Sequence, residues 1–380
     1  MLIQIYPAFH QANNSSRMQR TSFAYLDAVP NSKVIWFGMS NEKDSFDSIQ
    51  QKIEIVNLYV SSSWYKIPII GRFLSQINWY FRIKQYLRQK SIKQAAIIQS
   101  NSISDLIISY LISKKLGAKL FYDAHELETE RNELKGIHQM IDKKIENNYI
   151  HKADEVFVVS PSILKWYKDS YRVEHITLIR NLPEFSKNAV SNEVRDIRTS
   201  LNLQEDTLLF IYLGMLSNGR GIDAIIDAFK SFPQKHIAFI GYGPLASKIR
   251  EAAGTNANIH FIDAIAPKDI QSFIRSADIG ISLIENTCLS YYYCMPNKMW
   301  EYLNSCIPII VSDFPDMGDF VKSHQVGWAV NPNSEGLKAL IKEIDRESVL
   351  KTKASILQSA IPTWNDDKII LTKIYELACK

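Results

Sequence analysis

Lys298 and Glu301 stand one helical turn apart just after Pro296, at the start of a helix that opens near Asn297. The segment from Tyr291 to Leu303 joins an apolar, strand-like run (Ile279 to Ile284) to that helix, and a second apolar run (Ile307 to Val311) follows. A loop that feeds a helix N-terminus between two buried strands is where an α/β sheet binds anionic ligands. A cation for phosphate and a carboxylate for sugar hydroxyls together suit a nucleotide sugar. The alternative for Glu301 is an exposed helix acid paired with a nearby base.

Two more segments offer backbone to a ligand. Gly214 to Asp223 follows a strand and opens a helix, and its glycines permit close approach while Arg220 can pair with phosphate oxygens. Gly241 to Ala246, containing Gly243, formally matches G-x-G-x-x-A, and Asp263 follows at the spacing of a ribose-binding acid. A dinucleotide site and a tight strand–helix turn lining a cleft are its two readings. Its place on the second strand of its domain, and Pro244, which removes a donor, favour the turn.

The elements that must position these groups alternate. Strand-like runs at Leu2–Ile5, Lys33–Phe37, Ile53–Tyr59, Ala95–Gln99, Lys119–Tyr122, Glu155–Val159 and His175–Ile179 have helical patterns between them. The alternation lapses near Pro183 to Glu193 and restarts with runs from Leu208 to Val330. Strands alternating with helices give parallel sheets covered on both faces. The expected fold is α/β, with two doubly wound Rossmann-like domains facing a cleft. The expected bounds are 1–187 for an acceptor-binding domain, 188–200 for the linker and 201–360 for a nucleotide-sugar-binding domain. A C-terminal helix at 361–380 is expected to pack back on the first domain.

A chain of 380 residues suits two domains. Its net charge of +4 does not argue for nucleic acid as a partner. The four cysteines lack CxxC spacing and are read as reduced in a cytoplasmic protein, with Cys294 either a small hydrophobe or a reactive thiol. Met1-Leu-Ile-Gln-Ile-Tyr reads as a first strand, not a signal peptide, and no apolar run reaches membrane-spanning length. Between Ile55 and Ser104 there is no acid, while residues 64–93 are rich in Lys, Arg and aromatics. Phe73, Ile77, Tyr80, Phe81 and Leu87 fall near one helical face there. The stretch reads as a helix lying on an anionic membrane surface, which would make the protein peripheral at the inner face; a packed helix with a solvated basic face is the alternative.

The ordered set of segments resembles the family 4 retaining glycosyltransferases with the GT-B fold. Gly214 to Asp223 is similar to a G-x-L-x-x-x-[KR]-G-x-D loop; a strand ending in G-x-G follows, then a helix ending in a glutamate and an "xPIIVSD" strand. Asp123-Ala124-His125-Glu126 resembles the family's "D-x-H-E" segment. The resemblance implies that Glu301, the second glutamate of E-x7-E, hydrogen-bonds the donor ribose. It implies that Arg220 stands for the lysine on the donor diphosphate, helped by Lys298 and the N–H groups beside Asn297, and that His125 lies near the donor sugar; a satisfied structural histidine is the alternative. Gly214 and Gly243 fall on the donor-facing turns.

This chain departs from the pattern in three places. Tyr293 stands at the first glutamate of E-x7-E, Met215 at a diphosphate arginine, and His10 to Arg17, including Asn13, replaces a glycine-rich loop. Asn13 and Arg17 are the candidate acceptor contacts. The implied reaction moves a sugar from a UDP- or GDP-sugar to a saccharide or lipid-linked saccharide, with retention, as in bacterial surface polysaccharide assembly. No D-x-D stands in the chain, so neither a metal nor a cofactor is expected. A non-catalytic donor-binding partner protein and a sugar-nucleotide epimerase of the same fold are the rivals.

Overall fold

The computed structural model describes residues 1–9, 16–61, 70–132, 134–184, 196–266 and 269–380. Two compact units emerge, one made of Met1–Asn181 with Asn365–Lys380 and the other of Leu182–Trp364. The divide thus falls before the expected linker at 188–200, most of which lies outside the described residues, as do Asn13 and residues 64–69.

The first unit runs β1 (Leu2–Phe9), α1 (Ser16–Ala28), β2 (Val34–Ser40), β3 (Ser45–Ile49), β4 (Ile53–Tyr59), α2 (Ile70–Gln89), β5 (Ile97–Ser100), α3 (Leu106–Leu116), β6 (Lys119–Asp123), α4 (Gly136–Tyr149), β7 (Glu155–Val158), α5 (Pro161–Tyr171) and β8 (Ile176–Leu178). The sheet order is β3-β4-β2-β1-β5-β6-β7-β8. Among the described residues every pairing is parallel except β3 on β4. β2 is buried along its whole length, as a strand covered on both faces must be. Local signals close the helices: Ser160 accepts from the Ile163 N–H with Pro161 in the first turn of α5, and Gly117, at φ 62°, ends α3.

Of the helical face expected for α2, Phe73, Ile77 and Phe81 stay outward and Leu87 turns inward. The helix buries Trp79, Ile83, Tyr86 and Leu87 on the sheet, while Phe73, Ile77 and Phe81 are exposed. Spacings of three and four residues connect both sets, so periodicity alone could not choose between them.

The second unit runs α6 (Ile197–Ser200), β9 (Leu209–Leu213), α7 (Ile222–Lys230), β10 (His236–Ile240), α8 (Ala246–Thr255), β11 (Ile259–Ile262), α9 (Ile270–Arg275), β12 (Ile279–Ser282), α10 (Leu289–Tyr292), α11 (Asn297–Asn304), β13 (Ile309–Ser312), α12 (Pro315–His324), β14 (Gly327–Val330), α13 (Ser334–Glu343) and α14 (Arg346–Gln358). Its sheet, β11-β10-β9-β12-β13-β14, is parallel in every pairing among the described residues. Counted within the unit this is the order 3-2-1-4-5-6, which reverses between β9 and β12 and opens a crevice beyond their C-terminal ends.

The last helix, α15 (Trp364–Ala378), belongs from Asn365 onward to the first unit. Tyr375 stacks on Phe121, meets Tyr25 edge-on, and donates its hydroxyl to Gln99 Oε1 at 2.8 Å. Asp367 accepts from the Arg180 N–H at 2.6 Å and pairs with the same residue's guanidinium.

Behind α4 lies a buried carboxyl. The hydroxyls of Tyr122, Tyr167 and Tyr171 all donate to Glu146, at 2.8, 2.7 and 3.0 Å. Burial outweighs these donors and pushes Glu146 up to about 7 from 4.5. Between those values the folded state holds more proton than the unfolded chain, so this group's contribution falls as pH rises through the window and is level above it. The decline is of order 3 kcal/mol. Glu146→Gln is expected to remove it; urea unfolding below and above the window checks this, and an unchanged slope would assign the pH dependence elsewhere.

Candidate active site

The crevice of the second unit is built on a splayed pair of strands. β12 and β9 pair only at Ile279 with Phe210 and Gly280 with Ile211. Tyr302 of α11 fills the gap beyond. Its hydroxyl accepts from the Leu213 N–H at 2.8 Å and donates to the Ile211 carbonyl at 3.3 Å. A Cβ on Gly280 would lie 2.3 Å from the ring, so only glycine admits the tyrosine. Tyr302 therefore seats α11, and with it Lys298 and Glu301, over the switch point. Tyr302→Phe is expected to cost about 1–3 kcal/mol by stranding a buried N–H. Thermal unfolding checks the cost; no loss of stability would remove this account of how α11 is held.

Lys298 is buried, and its Nζ lies 3.6 Å from the centre of the Tyr212 ring. Burial, then the charge of Arg220, hold its ammonium well below the usual lysine range, against the opposing pull of Glu301 and Cys294. No carboxylate pairs with it among the described residues. Arg220 reaches in from the loop after β9 and lies 4.7 Å from the centre of the Tyr291 ring, likewise without an ion pair. Two cations on aromatic faces, the buried one without an ion pair among the described residues, form a site that an incoming anion stabilises. The start of α11 adds to it, because no side chain caps its first N–H groups and the dipole points its positive end there. Asn297 is exposed at that end, while Glu301 and Tyr293 are half-buried.

The glycines divide by role. The α-carbon of Gly214, at φ 117°, borders open space, so a ligand can approach the backbone. Gly243 is different: a Cβ there would sit 2.4 Å from the Leu216 carbonyl, and the Leu216 N–H bonds to Tyr242 O at 2.8 Å. Its glycine requirement comes from packing between the two turns, not from a ligand. Asp263 pairs at the surface with Arg250 at 2.7 Å, so the G-x-G-x-x-A match is a tight turn. Glu285 anchors the other loop by accepting from the Gly221 N–H at 3.2 Å and donating its own N–H to Gly219 O at 3.0 Å.

In the first unit His125 follows β6, and its Nε2 lies 3.2 Å from Asp123 Oδ2. Asp123 is fully buried. Burial opposes its charge, but Arg17, then His125, hold the carboxyl well below its usual range. Arg17, expected to contact the acceptor, is instead buried. Its guanidinium grips Asp123 through Nε at 3.0 Å and Nη2 at 2.7 Å, and donates to the Ile179 carbonyl at 2.9 Å. It is a buried strut behind His125, and the loop ahead of it in sequence gave no sign of that partner.

Sequence reasoning passed over Tyr212, Tyr291, Tyr302 and Glu285. Tyr291 lay inside the singled-out segment, and Gly280 inside an apolar strand was a mark of close approach by something bulky. Among the described residues, no group of three or more His, Cys, Asp or Glu side chains is placed to hold a metal ion.

Residues 193–356 match the family model described as Glycosyl transferases group 1. The alpha-monoglucosyldiacylglycerol synthase of Acholeplasma laidlawii is 25% identical over 226 residues, covering 55% of this chain and 54% of that protein. The putative teichuronic acid biosynthesis glycosyltransferase TuaC of Bacillus subtilis is 24% identical over 176 residues, 46% of this chain and 42% of its own length. The matches thus span about half of these relatives. Among solved structures, sucrose-phosphate synthase from Thermosynechococcus elongatus superposes with a TM-score of 0.76 at 15% identity, covering 99% of this chain and 98% of that one. Anabaena HepE in complex with UDP-glucose gives 0.70 at 12% identity, with 98% of each chain covered. These likenesses establish the GT-B fold.

Proposed function

We propose that this protein is a group 1 glycosyltransferase that moves a hexosyl or N-acetylhexosaminyl group from a nucleoside diphosphate sugar to a saccharide or lipid-linked saccharide, retaining the anomeric configuration. The observation that carries the reading is the pair Lys298 and Arg220, both without ion pairs among the described residues, at the switch point of a 3-2-1-4-5-6 sheet. The match of residues 193–356 to the group 1 model supports it, as does the UDP-glucose bound to HepE.

In this reading Lys298, Arg220 and the first N–H groups of α11 hold the donor diphosphate, and Glu301 holds the ribose. As the bond between the anomeric carbon and the diphosphate oxygen breaks, negative charge grows on the leaving group. Fixed cations aimed at that charge lower the barrier. The acceptor oxygen bonds to the anomeric carbon on the face the diphosphate leaves, and its proton passes to the departing phosphate oxygen. We propose a catalytic role for His125 of the first unit, whose Nε2 lies 3.2 Å from Asp123 Oδ2. The two cations supply the charge neutralisation, so the transfer is proposed to need neither metal nor cofactor. The protein is proposed to work at the cytoplasmic face of a membrane, on bacterial surface glycan.

Tyr293 and Met215, which replace two donor contacts of the family pattern, favour one second reading, a donor-binding partner without activity. A panel of UDP- and GDP-sugars incubated with pure protein in chelator separates the readings. Sugar release or transfer supports the proposal. Donor binding without turnover favours the second reading, and an epimerised donor favours an epimerase.

A further inference from the structure

Three neighbouring helices of the first unit, α2, α3 and α4, show the solvent a surface of unusual composition. Ile70, Phe73, Ile77 and Phe81 form an outward ridge along α2, with exposures of 61, 39, 53 and 58%. Beside it, Phe73, Ile77 and Tyr80 face Ile107 and Leu111 of α3 and Ile145 of α4 across an apolar groove. Ile137 and Met140 extend the apolar surface along α4, exposed by 58 and 70%. An ordinary surface helix turns such residues inward. Here the inward stripe of α2 is already supplied by Trp79, Ile83, Tyr86 and Leu87.

The charges are as one-sided as the apolar groups. α2 and α3 contain no acid, and the two acids of α4, Asp142 and Glu146, are completely buried. Lys84, Arg88, Lys114, Lys115 and Lys144 remain on these helices. Lysine ammoniums also lie on aromatic rings at the surface, Lys84 5.1 Å from Tyr80 and Lys114 5.6 Å from Tyr110. Apolar ridges flanked by aromatics and lysines, with no exposed acid, match the layering of a bilayer interface. No described helix is long and apolar enough to cross a membrane, so this surface would lie on one.

We propose that the α2–α3–α4 face docks on an anionic phospholipid bilayer, with Ile70, Phe73, Ile77 and Phe81 entering the headgroup–acyl boundary and the flanking lysines meeting lipid phosphates. The inference widens the acid-free stretch read from sequence to two more helices. It rests on the transferase reading only for its purpose, which is to hold the enzyme beside a lipid-linked acceptor.

The test is flotation of the full chain with vesicles of equal parts phosphatidylcholine and phosphatidylglycerol, against phosphatidylcholine alone. The wild type is expected to float with the anionic vesicles only, less so as salt rises. Phe73→Ser/Ile77→Ser/Phe81→Ser, which alters exposed side chains alone, is expected to lower partitioning at least ~tenfold. Lys84→Gln and Lys114→Gln are each expected to lower it about fivefold. Absence of flotation at low salt overturns the proposal, as does a triple variant that floats like the wild type. A dimer that the triple variant breaks, seen by size exclusion without flotation, overturns it too and makes the face a subunit interface. Calorimetry of donor binding by the same proteins keeps the two readings apart: donor binding without flotation removes only this surface, and flotation without donor binding removes only the transferase.

Discussion

Lys298→Met is expected to leave the protein folded, with a melting temperature equal to or above that of the wild type, while affinity for a nucleoside diphosphate falls about 10²- to 10³-fold. The two halves of this prediction share one cause. In the free protein the Lys298 ammonium is buried beside Arg220, with the Tyr212 ring as its near neighbour and no ion pair among the described residues. An uncompensated buried charge is costly, and replacing it with an apolar side chain of similar length removes the cost. The cost is repaid when a diphosphate arrives, so the same substitution removes most of the binding. Turnover should drop further, since charge on the leaving diphosphate is greatest in the transition state. A purely structural lysine gives the opposite pattern, with stability lost and affinity little changed. Calorimetric titration alongside thermal unfolding distinguishes the two.

Glu301→Ala and Arg220→Ala are expected to fail on different parts of the same ligand. Glu301 follows Lys298 by one turn of α11, and the proposal gives it the ribose. Its loss should weaken binding of the preferred nucleoside diphosphate and of the bare nucleoside by similar factors, about 10- to 100-fold each. Arg220 lies on the Tyr291 ring at the end of the glycine-rich loop. Its loss should weaken the diphosphate by a comparable factor and leave the nucleoside nearly unaffected, because its contact is with phosphate oxygens. Titrations of both ligands against both variants give four ratios. If Glu301→Ala spares the nucleoside, the ribose assignment fails. If Arg220→Ala weakens both ligands equally, the arginine acts on the loop and not on the diphosphate.

Much of this was legible in the chain because parallel sheets announce themselves. β10 stands where its apolar run places it, since a strand buried on both faces needs a continuous apolar sequence, and the half-buried edge strands β11 and β14 also keep the bounds of their runs. The positions of Lys298 and Glu301 at a helix start, and of Arg220 on the loop between β9 and α7, were legible because the runs around them mark strand, turn and helix. What stayed hidden depends on long-range partners. The β3 edge strand, Ser45–Ile49, is polar and exposed, so no apolar run marked it. The role of Arg17 is set by Asp123, more than a hundred positions away, and by the Ile179 carbonyl. Tyr302 looked like one more apolar helix residue, and only the separation of β9 from β12 gives its hydroxyl a task. The inward stripe of α2, Trp79, Ile83, Tyr86 and Leu87, was hidden because two apolar stripes share one helix, and the sheet selects which is buried.

The central claim is that the crevice at the β9–β12 switch point is a nucleoside diphosphate site. A crystal structure of the protein with UDP or GDP bound tests it most directly. The account predicts the diphosphate within hydrogen-bond distance of Lys298 Nζ and the Arg220 guanidinium, against the first N–H groups of α11, with the ribose hydroxyls on Glu301. A nucleotide lodged elsewhere, or a diphosphate that leaves Lys298 against Tyr212 with no phosphate contact, would contradict it.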